Sequence, residues 1–259
     1  MRTKTLHLSS ANPVLAIVLF ISIFMFSCKK EEASTQPQAD GSIASLTDYL
    51  TGKGFKAEDI VFKDGKFTIE KDIVITSEEV AARMKNESNS GTPQTEQRRN
   101  TYIISNTYNT NVKLYIEPDV PAAWKTAVQG AVANWNAVNG TRLGMSIVTT
   151  LSASNTRIFM GFESANWIAR AYLPTSNGRP GVSVEINSNF NSLAASQKLF
   201  AITHELGHTI GFHHTNQTSG TLIPGTPSVD ANSVMNSFVL NWNGFTAGDV
   251  LATQILYPQ

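Results

Sequence analysis

The run HELGHTIGFHH, from His204 to His214, is the stretch whose residue types and spacing specify a chemistry. Histidines four apart lie about 40° from each other around an α-helix, so His204 and His208 can aim ring nitrogens at one point and chelate one metal ion. Glu205 is turned roughly 100° round the same helix, which sets its carboxylate beside the metal's open position, where a base belongs. A straight helix would carry a residue ten positions past His204 out of reach. Gly211 removes that difficulty, because glycine accepts positive φ without a Cβ clash, ends the helix and lets the chain fold back. His214 then supplies a third nitrogen.

The full pattern HExxHxxGxxH resembles the zinc signature of the metzincin metallopeptidases. The resemblance implies a zinc ion held by His204, His208 and His214 with water as fourth ligand, Glu205 as general base, and hydrolysis of peptide bonds. By the family spacing His214 is the ligand, and His213 is expected to be solvated or to touch a ligand rather than the ion. Downstream, Ser233-Val-Met-Asn236 puts Met235 where metzincins carry a methionine turn beneath the zinc histidines. Ser237 stands where astacins and serralysins add a tyrosine. The segment Ile168 to Pro174, with Gly178, Gly181 and the run Val182 to Asn187, resembles the matrixin region in which an edge strand borders the cleft. On that likeness Ile168, Ala169, Arg170 and Ala171 are expected to hold an extended substrate by strand addition. These motifs, with the Gly225-Thr226-Pro227 loop and the ending from Asp249 to Pro258, together resemble most the dual-action HEIGH metallopeptidases, a bacterial metzincin family. Leu206 replaces the isoleucine of that name. The resemblance covers about Tyr102 to Pro258, and more weakly the segment before it.

The elements that must position these residues are readable from periodicity. Val112 to Glu117 alternates like a strand, and Pro118 to Pro121 then opens a helix. In that helix Trp124, Val128, Ala131, Trp135 and Val138 form one apolar face, and Asn139-Gly140 stops it. Arg157 to Glu163 reads as a strand. The histidine-bearing helix should begin between Ser192 and Ser196, with Leu199, Ile202, Leu206 and Ile210 toward the core. Thr215 to Asp230 should be loop, and Val250 to Tyr257 a closing helix. The expected fold is α/β, in an α+β arrangement like the metzincins: a twisted mixed sheet backed by helices, with zinc helix and methionine turn, preceded by a small helix-and-hairpin module.

The chain has 259 residues with 20 basic and 20 acidic side chains, a balance that gives no broad attraction to nucleic acid. Peptide or protein is the expected partner, and a monomer the expected state. Arg2 and Lys4 followed by the apolar run Val14 to Phe26 read as a signal peptide over residues 1–28. The lone cysteine, Cys28, ends a Met-Phe-Ser-Cys string that resembles the lipidation site of bacterial lipoproteins. That likeness implies export and a lipid anchor in the outer membrane. Lys29 to Glu32 is similar to the patch that accompanies display on the outer surface, and residues 29–42 read as a tether.

Residues 43–100 read as a propeptide-like module and linker, and residues 101–259 as the catalytic domain. The module should contain a helix from Ile43 to Leu50 and a hairpin with strands Asp59 to Lys63 and Lys66 to Ile75 around Asp64-Gly65. A second helix should run from Ser77 to near Lys85. Asn86 to Asn100 is polar and reads as a linker that a protease could cut. Phe67 to Ile73 resembles the part of astacin propeptides in which an aspartate takes the place of the zinc-bound water, which makes Asp72 the candidate for latency. Lys71 stands where astacins have glycine. The alternative is that Asp72 is a surface residue of a hairpin that persists. A cysteine-based latch is excluded, because Cys28 is the only thiol. Two other functions fit the composition: a surface lipoprotein that binds peptide or glycan and keeps zinc for structure, or a zinc amidase acting on cell-wall peptides. Glu205 argues against the first, since a structural site has no use for that carboxylate.

Overall fold

The computed structural model of the chain describes residues 41–86, 97–227 and 230–259. The expected signal segment, Cys28, nearly all of the expected tether and most of the expected linker lie outside the described residues.

The N-terminal module begins with α1 (Ile43–Gly52), whose Ser42 side chain caps the Ser45 amide. A single 3-10 turn leads to β1 (Ile60–Lys63) and β2 (Lys66–Ile69). Asp64 and Gly65, both at positive φ, join these two strands in the turn whose twist suits a hairpin. β3 (Ile73–Thr76) and α2 (Ser77–Asn86) complete the module. The single strand expected from Lys66 to Ile75 is therefore two. Glu70 at φ 51° and Lys71 at φ 82° turn the chain back on itself, and alternation alone carries no signal for that reversal.

After the segment outside the described residues come β4 (Arg98–Arg99), β5 (Val112–Ile116), α3 (Ala122–Asn136) and β6 (Met145–Val148). They are followed by β7 (Thr156–Gly161), β8 (Ala169–Tyr172), β9 (Ser183–Asn187) and α4 (Ala195–Ile210). β10 (Phe212–His213), β11 (Thr221–Leu222) and α5 (Ala247–Leu256) close the chain. Gln97 to Asn100 is not linker. β4 pairs with both β10 and β11, and the Arg98 side chain, 1% exposed, donates to the carbonyls of Thr218, Ser219 and Gly220. Two arginines in a polar stretch suggest solvent; here one guanidinium satisfies three carbonyls of a loop.

One mixed sheet runs through module and catalytic region alike, in the order β1-β2-β3-β8-β9-β7-β5-β6. β5, β6, β7 and β9 are parallel neighbours, β8 runs antiparallel to β9, and β3 lies parallel to β8. The core divides into two apolar clusters. The larger is drawn from Ile104 through Tyr257, with the two tryptophans of α3 at its centre. Their indole N–H groups are satisfied by Asn191 Oδ1 and the Thr203 carbonyl, as buried indoles require. The smaller cluster belongs to the module and takes only Leu173 from the catalytic region. Each half thus buries its own apolar face. No helix among the described residues is long and apolar enough to cross a membrane.

Candidate active site

α4 is buried nearly all round from Phe200 to Ile210, as befits a helix sandwiched between sheet, α3 and the downstream loops. Ile202, Leu206 and Ile210 are fully buried on its core side. Gly211 ends it at φ 114°, and its amide donates to the carbonyls of Gly207 and His208. A side chain there would be strained, and its Cβ would lie 3.0 Å from Ile103. The reversal that this glycine permits brings His214 back over the helix.

Four donors converge: His204, His208 and His214 through Nε2, and Asp72 through Oδ2, all within 4.8 Å of one another. His214 Nε2 lies 3.2 Å from His208 Nε2, 3.3 Å from His204 Nε2 and 3.2 Å from Asp72 Oδ2. His204 Nε2 is 3.7 Å from the same oxygen. The remaining ring nitrogens settle the tautomers. His204 Nδ1 meets the Val234 carbonyl at 2.7 Å, His208 Nδ1 the Phe212 carbonyl at 2.8 Å, and His214 Nδ1 the Glu70 carboxylate at 2.7 Å. Carbonyls and carboxylates only accept, so each Nδ1 carries a proton, which leaves each Nε2 as the nitrogen that can present a lone pair to a metal ion. Three such nitrogens and a carboxylate facing one point call for positive charge between them, a metal ion or, in its absence, a second proton on His214. A tetrahedral ion with zinc–nitrogen bonds of 2.0–2.1 Å would hold its donors about 3.3 Å apart, which matches the spacing found. The donor set therefore fits zinc.

Glu205, 3% exposed, borders the same point, and its Oε2 has no hydrogen-bond partner among the described residues. Burial first, then the charge of Asp72, pushes its carboxyl well above the usual range. Burial works in the same direction on Asp72, but His214 and its neighbouring histidines outweigh it and hold that carboxyl low. At His214 burial favours the neutral ring, yet Asp72 and Glu70 together raise its pKa to about 10. A carboxylate on either side of this imidazole is a strong charge arrangement, and a divalent ion would answer it.

Met235 lies beneath α4, where a Cβ on Gly207 would fall 2.5 Å from its sulfur. The turn that carries it is fixed by Asp249, which accepts from Ser233 Oγ at 2.6 Å and from the Val234 amide at 3.1 Å. Gln97 Nε2 reaches the same carboxylate at 3.1 Å. Because the Val234 carbonyl in turn accepts from His204, Asp249 is one step removed from the histidine cluster. Sequence reasoning missed this. Asp249 is also the third residue of a helix cap with Thr246, and nothing local announces the bond to a turn fifteen residues earlier. Glu70 was missed as well, although it stands two residues before Asp72.

His213 is neither solvated nor in contact with the donor cluster through its ring nitrogens. It is 2% exposed, both nitrogens lack partners among the described residues, and the ring packs 5.3 Å from Phe55 of the module. Burial, reinforced by His214, Arg83 and Arg98, lowers its pKa to about 3. The Phe55 contact is part of what buries the ring.

The expected substrate strand is placed beside the cluster, but it is not an edge. Ile168 precedes β8, while Ala169, Arg170 and Ala171 lie on it, paired to β9 on one side. On the other side β3 adds in parallel, with Ala171 N donating to Asp72 O at 2.7 Å and Leu173 N to Val74 O at 3.1 Å. Those backbone groups would otherwise be unpaired, and the module supplies the partner. Asp72 is correspondingly not a surface residue of a free hairpin. Its side chain is 16% exposed and lies at the floor of a cleft of about 340 Å³ with His204 and Glu205. Trp167, Phe200, Phe238 and Val239 wall that cleft.

The sequence matches the profile of the dual-action HEIGH metallo-peptidases over residues 67–257, which reaches back through β2, β3 and α2 as well as the whole region from β4 to α5. A search of curated proteins finds no match. Among solved structures, myroilysin aligns at 14% identity and a TM-score of 0.43, covering 66% of this chain and 94% of its own. High choriolytic enzyme 1, a hatching-enzyme zinc-protease from the medaka fish Oryzias latipes, aligns at 16% identity and a TM-score of 0.40, covering 60% and 93%.

Proposed function

The chain belongs to the dual-action HEIGH metallopeptidase family and is a zinc metallopeptidase; from that premise we propose that it is an endopeptidase whose N-terminal module holds it latent. His204, His208 and His214 would hold the ion through Nε2. When bound, zinc acidifies a water and polarises the scissile carbonyl. Glu205 receives the water's proton at its carboxylate and returns it to the leaving amine, a role suited to a carboxylate beside the donors and not among them. β8 holds the substrate backbone once β3 is gone, and the aromatic walls of the cleft exclude water from its side chains. The observation that carries this reading is the double obstruction: Asp72 stands among the nitrogen donors, and β3 occupies the strand position that a substrate would need.

The test uses a chain with a specific protease site placed between Asn86 and Gln97. The larger apolar cluster lies wholly within residues 104–257, so the cut domain keeps its core. After cutting, the zinc-loaded protein should hydrolyse a denatured protein substrate. The same protein with Glu205→Gln should keep its zinc and lose about 10²–10⁴-fold in rate, the range for removing a general acid–base. Equal rates for parent and variant would sink the assignment.

The N-terminal residues support export and lipidation. Arg2, Lys4, the apolar run Val14 to Phe26 and Cys28 fit a lipoprotein precursor anchored in the outer membrane, with the peptidase acting outside the cytoplasm. Cys28→Ala should abolish incorporation of labelled fatty acid and shift the protein from the membrane fraction to the soluble one.

A further inference from the structure

The three histidines differ in what lies behind them. His204 and His208 rest on the carbonyls of Val234 and Phe212, which stay with the catalytic domain whatever happens to the module. His214 rests on Glu70, a residue of the module. The contact is 2.7 Å, with side chains 0% and 4% exposed. Glu70 reaches this position from a left-handed backbone conformation at φ 51°, which an L-residue adopts at a cost and which belongs to the turn that sets one carboxylate at each ring nitrogen of the same imidazole. Asp72 Oδ2 stands at Nε2, and Glu70 Oε2 at Nδ1.

A carboxylate that accepts from the far nitrogen of a metal-binding histidine fixes its tautomer, orients its ring and raises its basicity. We infer that Glu70 is a positioning residue that strengthens metal capture by His214, so the full chain is the form in which the zinc centre is loaded. The third ligand comes from a reversed loop and not from α4, and is therefore the one most in need of orientation. The module lends it a charged partner during loading and withdraws that partner on removal. The inference rests on the zinc reading above but not on any role of the module in blocking substrate.

The experiment measures zinc dissociation constants of the uncut full chain by chelator competition, together with the visible spectrum of the cobalt-substituted protein. Glu70→Ala should weaken zinc binding by about 10–100-fold, the range for losing such an outer partner, and should alter the cobalt spectrum. Docking is followed separately by hydrogen exchange at the Ala171 and Leu173 amides, which β3 protects. Zinc binding within about twofold of the parent, with those amides still protected, would overturn the inference. Where Glu70→Ala loosens the module, Glu70→Gln decides: its amide oxygen still accepts from Nδ1 but carries no charge, so affinity should fall toward the lower end of that range, about tenfold. Parent-like affinity in that variant would overturn the inference too. Failure of the parent chain itself to bind zinc would instead strike the function proposed above.

Discussion

α4 and the turn from Glu70 to Asp72 meet at the same histidines and are built on opposite terms. α4 presents His204, Glu205 and His208 from ordinary helical backbone, sealed between apolar layers, with its one unusual conformation given to glycine. The turn presents Glu70 and Asp72 from two consecutive non-glycine residues at positive φ, each costing of order 1–3 kcal/mol unless the surroundings enforce it. The difference matches what each must do. Under the latency proposed above, a frame that keeps its geometry through many turnovers is built relaxed, whereas a plug that is to leave is held by its surroundings and gives strain back on release. The enforcing contacts are also discrete: β3 on β8, Arg83 donating to Asn100 Oδ1 and the Pro174 carbonyl, and Glu79 accepting from the Ser176 amide.

The largest effect that separates frame from plug is cutting between residues 86 and 97. The cut chain should turn over peptides and the uncut chain should not. Asp72→Asn in the uncut chain sharpens the comparison. It weakens the contact with the donors but leaves β3 on β8, so the substrate strand stays covered and the chain should remain inactive in a continuous peptide assay. Activity approaching that of the cut protein would show that Asp72 alone is the latch and that the strand pairing is incidental.

On the frame side, Gly211→Ala is the sharpest probe. At φ 114° an alanine is strained by about 1–3 kcal/mol, and Ile103 gives little room for its Cβ. Stability in urea should fall by that amount, and zinc retention with it, because the reversal that delivers His214 is disturbed. An unchanged midpoint and unchanged zinc content would mean that the reversal is not set by this glycine.

The frame was legible in the sequence, whereas of the plug only its elements and Asp72 were, and the way it docks was not, for a physical reason. A helix writes its faces into a local period, so the positions of the α4 residues relative to one another follow from spacing alone, and the same holds for the apolar stripe of α3. A reversal after Gly211 follows from the glycine. Nothing local states that β8 is covered, because the strand covering it lies about a hundred residues earlier and pairs through backbone groups that every sequence has. The positive φ at Glu70 and Lys71 is equally silent, since neither residue is a type that prefers it. Gln97 to Asn100 misled in the other direction. Its polarity suggested solvent, but Gln97, Arg98 and Asn100 are buried and hydrogen-bonded.

The smallest predicted effect tests the strain directly. Lys71 is exposed and sits at φ 82°, a conformation that glycine takes freely and that costs a lysine roughly 1–2 kcal/mol. Lys71→Gly relieves that cost but gives the unfolded chain more freedom, which returns roughly 0.5–1 kcal/mol. The uncut chain should therefore gain between about 0 and 1.5 kcal/mol in the equilibrium unfolding of the module, the difference between those two terms. Once cut, its module should dissociate more slowly than the parent's. The catalytic domain freed of its module should be unaffected, because the residue is no longer present. A destabilised uncut chain would mean that the lysine side chain contributes more than its backbone costs, and the contrast between a relaxed frame and a strained plug would lose its energetic basis at this residue.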